Sequence, residues 1–294
     1  MDAPLRSLLY TPGHLAPLVA KVLAGRLPVT PDVAILDLED GVPPAEKDSA
    51  RRVVSDALGV HDALGGGDAR CLRFVRIDRS GGTLRADLRS VVRPGLDGVV
   101  VPKVARAEDL ATIDEMLLER ERDAKIPERS VKVIASIETA AGLIDAPRIA
   151  GAPRLVALMF GSEDFAADLG LPARRVGEAA DLLYARSAIV VAAAAAGIPA
   201  IDGIWADFRD AAGLREDALR GRRLGFSWRQ CIHPDQVAVV NEVFSPTAAE
   251  IEHAKRVVTA FDDGLTRGLG AVALDGEMLD APIVARARRV LRKS

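Results

Sequence analysis

VKVIASIE (residues 131–138) and LVALMFGSED (155–164) are the stretches on which the fold turns. Both open with apolar residues that run on without polar alternation, as in a strand buried on both faces. Both then close on carboxylates, Glu138 in the first and Glu163 and Asp164 in the second. Working outward, the same reading yields six more strand candidates: RSLLYTPG (6–13), VAILDLED (33–40), CLRFVRID (71–78), GVVVPKV (98–104), AIDGIW (200–205) and RQCIH (229–233). Segments of helical period separate them, among them EKDSARRVVSDAL, RAEDLATIDEMLLERERD and AADLLYARSAIVVAAAAAG. Strand and helix alternate as parallel βαβ units require, and eight units within about 250 residues suit a closed (β/α)8 barrel. An open doubly wound sheet competes, but no GxGxxG follows the first strand, where its dinucleotide-binding form would carry one.

The expected architecture is an α/β fold, a (β/α)8 TIM barrel over residues 1–245 with a C-terminal helical extension over 246–294. That extension reads as a helix (SPTAAEIEHAKRVVTAFDDGLTRG), a turn-rich AVALDGEMLDAP and a basic amphipathic RARRVLRK. The Gly65-Gly66-Gly67 triplet reads as a flexible connection before the third strand.

The 294 residues are 49% hydrophobic, enough for a full core. Thirty-nine basic against 42 acidic residues leave a net charge of −3, which gives no broad field for nucleic acid or an anionic membrane. Cys71 and Cys231 both sit in apolar runs, as structural thiols do, and neither a disulfide framework nor a zinc site is expected. No apolar run approaches membrane-spanning length and no signal-peptide pattern precedes the first strand, so a cytoplasmic protein is expected.

Carboxylates delivered at strand ends share one barrel mouth, the place where active sites of this architecture lie. Mg²⁺ favours a few such oxygens with water and substrate completing its shell. Glu138 and Asp164 are its expected ligands; the plain alternatives are a helix cap at Asp164 and a helix start at Glu138. Asp37, Glu39 and Asp40 place three negative charges within four residues, costly in a mouth unless a cation or arginine offsets them. Alternation sends Asp37 and Glu39 to one side and Asp40 to the other, and Glu39 or Asp40 is expected to orient water beside the metal; a cap at Asp40 is the alternative. Arg76, ending the third strand, suits a substrate carboxylate or a developing oxyanion, and equally an ion pair with the DLED cluster. Lys103 reads as a solvated charge, with a phosphate contact as the alternative, His14 as a possible ligand contact at the mouth, and His233-Pro234 as a helix start. Nothing matches a Ser-His-Asp, Cys-His or HExxH arrangement.

The ordered motifs RSLLYTPG, AILDLEDGVPPAEKDSAR, FVRID, VVVPKV, SIETAAGL, GSEDFAADLG, AIDGIWADFRD, CIHPDQVAVVNEVF and DGEMLDAPIVARAR resemble the HpcH/HpaI aldolase/citrate lyase superfamily over essentially the whole chain. The likeness is to its CoA ester lyases, of the citrate lyase beta-subunit and malyl-CoA lyase kind. It implies a barrel whose extension reaches a neighbouring subunit in a homotrimer or dimer of trimers, with Mg²⁺ on Glu138 and Asp164. Arg76 and Glu138 then face the substrate, and Asp280, in MLDAP, matches the acid/base that members receive from the adjacent subunit. The implied reaction cleaves a β-hydroxyacyl-CoA thioester, such as malyl-CoA or citramalyl-CoA, to a 2-oxo acid (glyoxylate or pyruvate) and an acyl-CoA. Alternatives are a citryl-thioester lyase acting on an acyl carrier protein, an aldolase for free hydroxy-oxo acids, and a barrel that binds CoA thioesters without turnover. By its residues alone Asp280 reads as an N-cap, with Pro282 in the first turn of the last helix. Two departures from the pattern bear on contacts: Asp78 stands where many members carry asparagine, and Ser227-Trp228-Arg229 replaces a Gly-Lys pair, with Arg229 offered as the substitute charge for a CoA phosphate.

Overall fold

A computed structural model of the chain describes residues 5–63, 71–80, 82–172 and 180–292; the triple-glycine connection lies outside them. Eight parallel strands, β1 (Ser7–Pro12), β2 (Val33–Asp37), β3 (Leu72–Arg76), β4 (Gly98–Val101), β5 (Lys132–Ile137), β6 (Leu155–Phe160), β7 (Ala200–Asp202) and β8 (Trp228–Cys231), close in chain order, with β1 paired to both β2 and β8. Among the described residues the helices α1 (Ala16–Leu23), α2 (Lys47–Ala63), α3 (Leu84–Val91), α4 (Ala107–Asp123), α5 (Ala140–Ile149), α6 (Ser162–Asp168), α7 (Leu183–Ala195), α8 (Ala211–Leu224) and α9 (Pro234–Phe244) follow the strands. This is the (β/α)8 barrel that the unbroken apolar runs imply.

Strand parity organises the interior. Leu8, Ile35, Phe74, Val100, Ile134, Met159 and Ile201 point inward and pack as one core, each buried large side chain contributing about 1.5–3 kcal/mol. A Cβ at position 98 would lie 2.3 Å from the Phe74 ring, so glycine there makes room for the largest interior side chain.

Several strands stop short of their predicted ends, and at three of them a local reason is visible. Past β2, the Asp37 carboxylate accepts the backbone N–H groups of Glu39 (2.9 Å) and Gly41 (2.8 Å), which turns the chain out of the ladder. At β7, Asp202 accepts the N–H of Gly203 at 2.9 Å, leaving only two register pairs to β6 and two to β8. At β6, Gly161 becomes the N-cap of α6, so Glu163 and Asp164 lie in a helical first turn rather than on a strand tip. Carboxylates are favoured there by the helix dipole.

The chain divides into two compact units, Leu5–Asn241 and a second from Glu242 onward. The second unit contains α10 (Ala248–Thr266), a hairpin of β9 (Val272–Leu274) and β10 (Glu277–Leu279), and α11 (Ala281–Leu291). Thr247 and Glu250 form a reciprocal capping box at the start of α10. The hairpin turns at Asp275-Gly276, both with positive φ, as a two-residue turn of this kind demands. Ala254, Val257, Phe261, Leu279, Val284 and Ala287 form its own core.

Candidate active site

The parity that builds the barrel core also builds the cleft above it. One step beyond Leu8, Ile35, Phe74, Ile134 and Met159, the same strand faces carry Tyr10, Asp37, Arg76, Ser136 and Gly161, and one step further on β5 comes Glu138. With Ser162, Glu163, Asp164, Gln230 and Ile232 they line a cleft of about 290 Å³ at the C-terminal ends of the strands.

Glu138 is 3% exposed. Its Oε2 is buried without a hydrogen-bond partner among the described residues. Burial pushes this carboxyl up to about 7, and the charges of Glu39 and Asp164 push the same way against Ser136 and Arg76. Its place depends on Gly161, where a Cβ would lie 2.3 Å from Glu138 Cγ.

Arg76 is held on two sides. Its Nε and Nη2 donate to the two oxygens of Asp37, both at 2.7 Å. Its Nη1 lies 3.0 Å from Glu39 Oε2, an ion-pair separation without hydrogen-bond alignment. The Tyr10 ring lies under the guanidinium carbon at 4.8 Å. The ion pair with the DLED cluster is thus formed. A guanidinium has five N–H groups in a fixed fork, so this clamp still leaves donors for a bound anion. Burial works to lower the Arg76 pKa, but the hydrogen bonds and charge of Asp37 raise it overall.

Glu39 is buried and its pKa is raised, by burial first, against the opposing pull of Arg76 and Lys103. Asp40 is exposed at the rim, its Oδ2 3.4 Å from Lys103 Nζ. Lys103 is therefore no isolated solvated charge: its Nζ donates to Glu39 Oε1 at 2.9 Å. His14 stands in the turn after β1 with Nδ1 buried and unpartnered among the described residues, and it is not part of the cleft wall. His233 immediately precedes α9, as its proline predicts, and its ring stacks on Phe208 at 4.7 Å.

Two expectations are corrected. Arg229 cannot replace a phosphate-binding lysine, because strand parity turns it away from the barrel interior into a buried cluster. There its Nη1 and Nη2 meet Asp202 (3.1 Å) and Asp217 (2.6 Å), which Arg186 also binds. Asp78 is likewise spoken for, paired with Lys47 at 3.0 Å and accepting from Ser80, and it is not part of the cleft wall. Asp280 is the N-cap of α11, its Oδ1 accepting from Ile283 N at 3.2 Å, with Pro282 in the first turn.

Tyr10, Ser136, Gly161 and Gln230 were not singled out by sequence reasoning, although strand parity marks all four. Gln230 ties the barrel at its most thinly paired seam. Its Nε2 donates to the carbonyls of Phe160 (2.8 Å) and Asp202 (3.0 Å), and its Oε1 accepts from the Tyr10 hydroxyl (3.1 Å).

The residues fit a small hard cation. An unsatisfied buried carboxylate oxygen beside a second carboxylate is what Mg²⁺ uses when water and substrate complete its shell. Among the described residues no group of three or more His, Cys, Asp or Glu side chains forms a metal-ligand cluster.

Barrel, cleft and carboxylates together define a (β/α)8 protein with an enzyme-like polar site at its strand ends. The chain belongs to the HpcH/HpaI aldolase/citrate lyase family, whose model matches residues 6–234. It is 37% identical to the citrate lyase subunit beta-like protein of Deinococcus radiodurans, over 99% of both chains. It is 35% identical to a (3S)-malyl-CoA thioesterase of Cereibacter sphaeroides, over 99% of this chain and 95% of the relative. Among solved structures, the CitE protein of Mycobacterium tuberculosis in complex with magnesium, acetoacetate and coenzyme A matches with a TM-score of 0.78 and 32% identity, covering 100% of this chain and 99% of that one.

Proposed function

We propose that the protein is a Mg²⁺-dependent carbon–carbon lyase that cleaves a β-hydroxyacyl-CoA thioester, of the malyl-CoA or citramalyl-CoA type, to a 2-oxo acid and an acyl-CoA. One observation carries the reading: Glu138, whose buried Oε2 has no hydrogen-bond partner among the described residues, lines the same cleft as Asp164 and Arg76. Family relatives bound to magnesium and coenzyme A support the choice of ligands.

Glu138 and Asp164 would hold the metal, which when bound supplies a Lewis acid for the substrate's carboxylate and hydroxyl oxygens. Arg76, fixed in direction by Asp37 and Tyr10, offers its remaining N–H groups to the oxygen that gains charge as the hydroxyl proton leaves. The adjacent C–C bond then breaks, its electron pair passing into the thioester enolate while the hydroxyl carbon becomes the carbonyl of the 2-oxo acid. Asp280 from a neighbouring subunit of a homotrimer or dimer of trimers takes up the hydroxyl proton and returns it to the enolate carbon, leaving the acyl-CoA neutral at that carbon and Asp280 as it began. Glu39 and Asp40 support the mouth by holding Lys103 and, through Glu39, Arg76. The proposed setting is the cytoplasm, where its free thiols Cys71 and Cys231 stay reduced.

A second reading, hydrolysis of the thioester, is favoured by the relatives named as malyl-CoA thioesterases. One experiment separates them. Purified protein with Mg²⁺ is mixed with malyl-CoA, citramalyl-CoA and citryl-CoA, released 2-oxo acid is trapped as a hydrazone, and free CoA thiol is titrated in parallel. Oxo acid without free thiol supports the lyase; thiol without oxo acid supports hydrolysis; neither product from any thioester refutes both.

A further inference from the structure

Five charged side chains alternate in sign across the cleft mouth, in the order Asp37, Arg76, Glu39, Lys103, Asp40. The position of Lys103 in that row is built at a conformational cost. Its φ is 52°, in the left-handed region that a residue with a Cβ occupies only when its surroundings impose it. Arg79 imposes it, donating from Nη1 to the carbonyls of Pro102 (3.1 Å) and Lys103 (2.9 Å) while its Nη2 lies 3.2 Å from Asp109. The next residue is fixed too, Val104 N donating to the carbonyl of Ser136, a residue of the cleft wall. Glycine would sit in this turn without strain, so a lysine there points to a use for the amine. On the opposite side, Lys47 Nζ holds the carbonyls of Leu38 (2.6 Å) and Glu39 (2.7 Å). The Glu39 backbone is thereby fixed from below and its carboxylate is shared between Lys103 and Arg76.

We infer that Lys103 is a positioning residue: it holds the Glu39 carboxylate against Arg76 and so fixes the guanidinium edge that faces the substrate. The inference rests on the lyase reading and adds a role that acts through Glu39, with no contact between Lys103 and substrate. The test uses the full-length protein, Mg²⁺ and the hydroxyacyl-CoA that the wild type turns over fastest. Lys103→Met removes the charge, Lys103→Gly removes the amine and also relieves the backbone, and Lys103→Arg restores a charge.

The expected result for both Met and Gly is a fall in kcat of about tenfold or more, with KM changed by less than about threefold, and recovery to within about threefold in Lys103→Arg. Because the role runs through Glu39, the Lys103→Met/Glu39→Gln double variant should be no slower than Glu39→Gln alone. Wild-type kcat in Lys103→Met, a loss confined to KM, or a double variant whose loss multiplies those of the single variants would each overturn the inference while the lyase reading stands. A wild type inert on every thioester in the panel would overturn the lyase reading first and this role with it.

Discussion

Replacing Glu138 by glutamine tests the metal site without relying on turnover. The wild-type carboxyl is almost fully buried, one oxygen lacks a hydrogen-bond partner among the described residues, and its pKa is moved from an ordinary 4.5 to about 7, chiefly by burial. A tenfold change in a protonation equilibrium is about 1.4 kcal/mol, so ionising this group in the folded, metal-free protein carries a penalty of at most about 3 kcal/mol. The sign follows from an acid whose folded pKa is raised: the penalty is fully present above pH 7, fades as the pH falls toward 4.5, and is absent below. Glu138→Gln has no charge to bury. In urea unfolding with chelator present, the variant should therefore be the more stable protein at pH 8, by up to about 3 kcal/mol, and the difference should disappear near pH 4.5. Added Mg²⁺ at about a thousand times its dissociation constant should reverse the order at pH 8, since it then stabilises the form that binds it by about 4.1 kcal/mol. The reasoning is refuted if the variant is less stable than wild type at pH 8 without metal, or if Mg²⁺ stabilises both proteins equally.

Three other outcomes are expected. Gly161→Ala puts a methyl carbon 2.3 Å from Glu138 Cγ, so that this side chain must shift; Mg²⁺ affinity measured by calorimetry should fall about tenfold or more while the circular dichroism spectrum stays that of wild type. Arg76→Met leaves Asp37 and Glu39 buried without their shared cation; it should cost about 3 kcal/mol in denaturant unfolding and abolish oxo-acid release, and wild-type stability would contradict the clamp. Asp280→Asn keeps an N-cap of equal quality on α11, so unfolding free energy should stay within about 0.5 kcal/mol and Mg²⁺ binding should persist while turnover is lost. Oxo-acid release by Asp280→Asn at the wild-type rate would remove its acid/base role and leave the cap as its only duty.

The barrel was legible because a strand buried on both faces cannot alternate, and the apolar runs at 131–138 and 155–164 say so directly. Strand ends were less legible, since Asp37 and Asp202 stop their ladders by capturing backbone N–H groups with their own side chains. Charge type alone misled at Arg229, which looks like a ligand-facing cation until its parity against Trp228 and Gln230 is counted; it is the outward residue of β8. Lys103 was hidden for another reason. A left-handed φ on a lysine leaves no signature in sequence, and the arginine that enforces it lies 24 residues away. Asp280 illustrates one residue open to two readings: the sequence offers it as a cap and, by family resemblance, as an acid, and the cap is the one formed within its own unit.

The cleft wall and the core occupy the same faces of the same strands, which constrains how such a protein can evolve. Deleting one residue within β5 would exchange its inward and outward faces, moving Ile134 off the core side and Glu138 out of the mouth in a single event. Lineages descending from this chain are thus free to change chemistry by point substitution at the strand tips, or to alter loop length beyond them. Insertions and deletions inside the strands lie closed to them, because the same slip would cost folding and catalysis together.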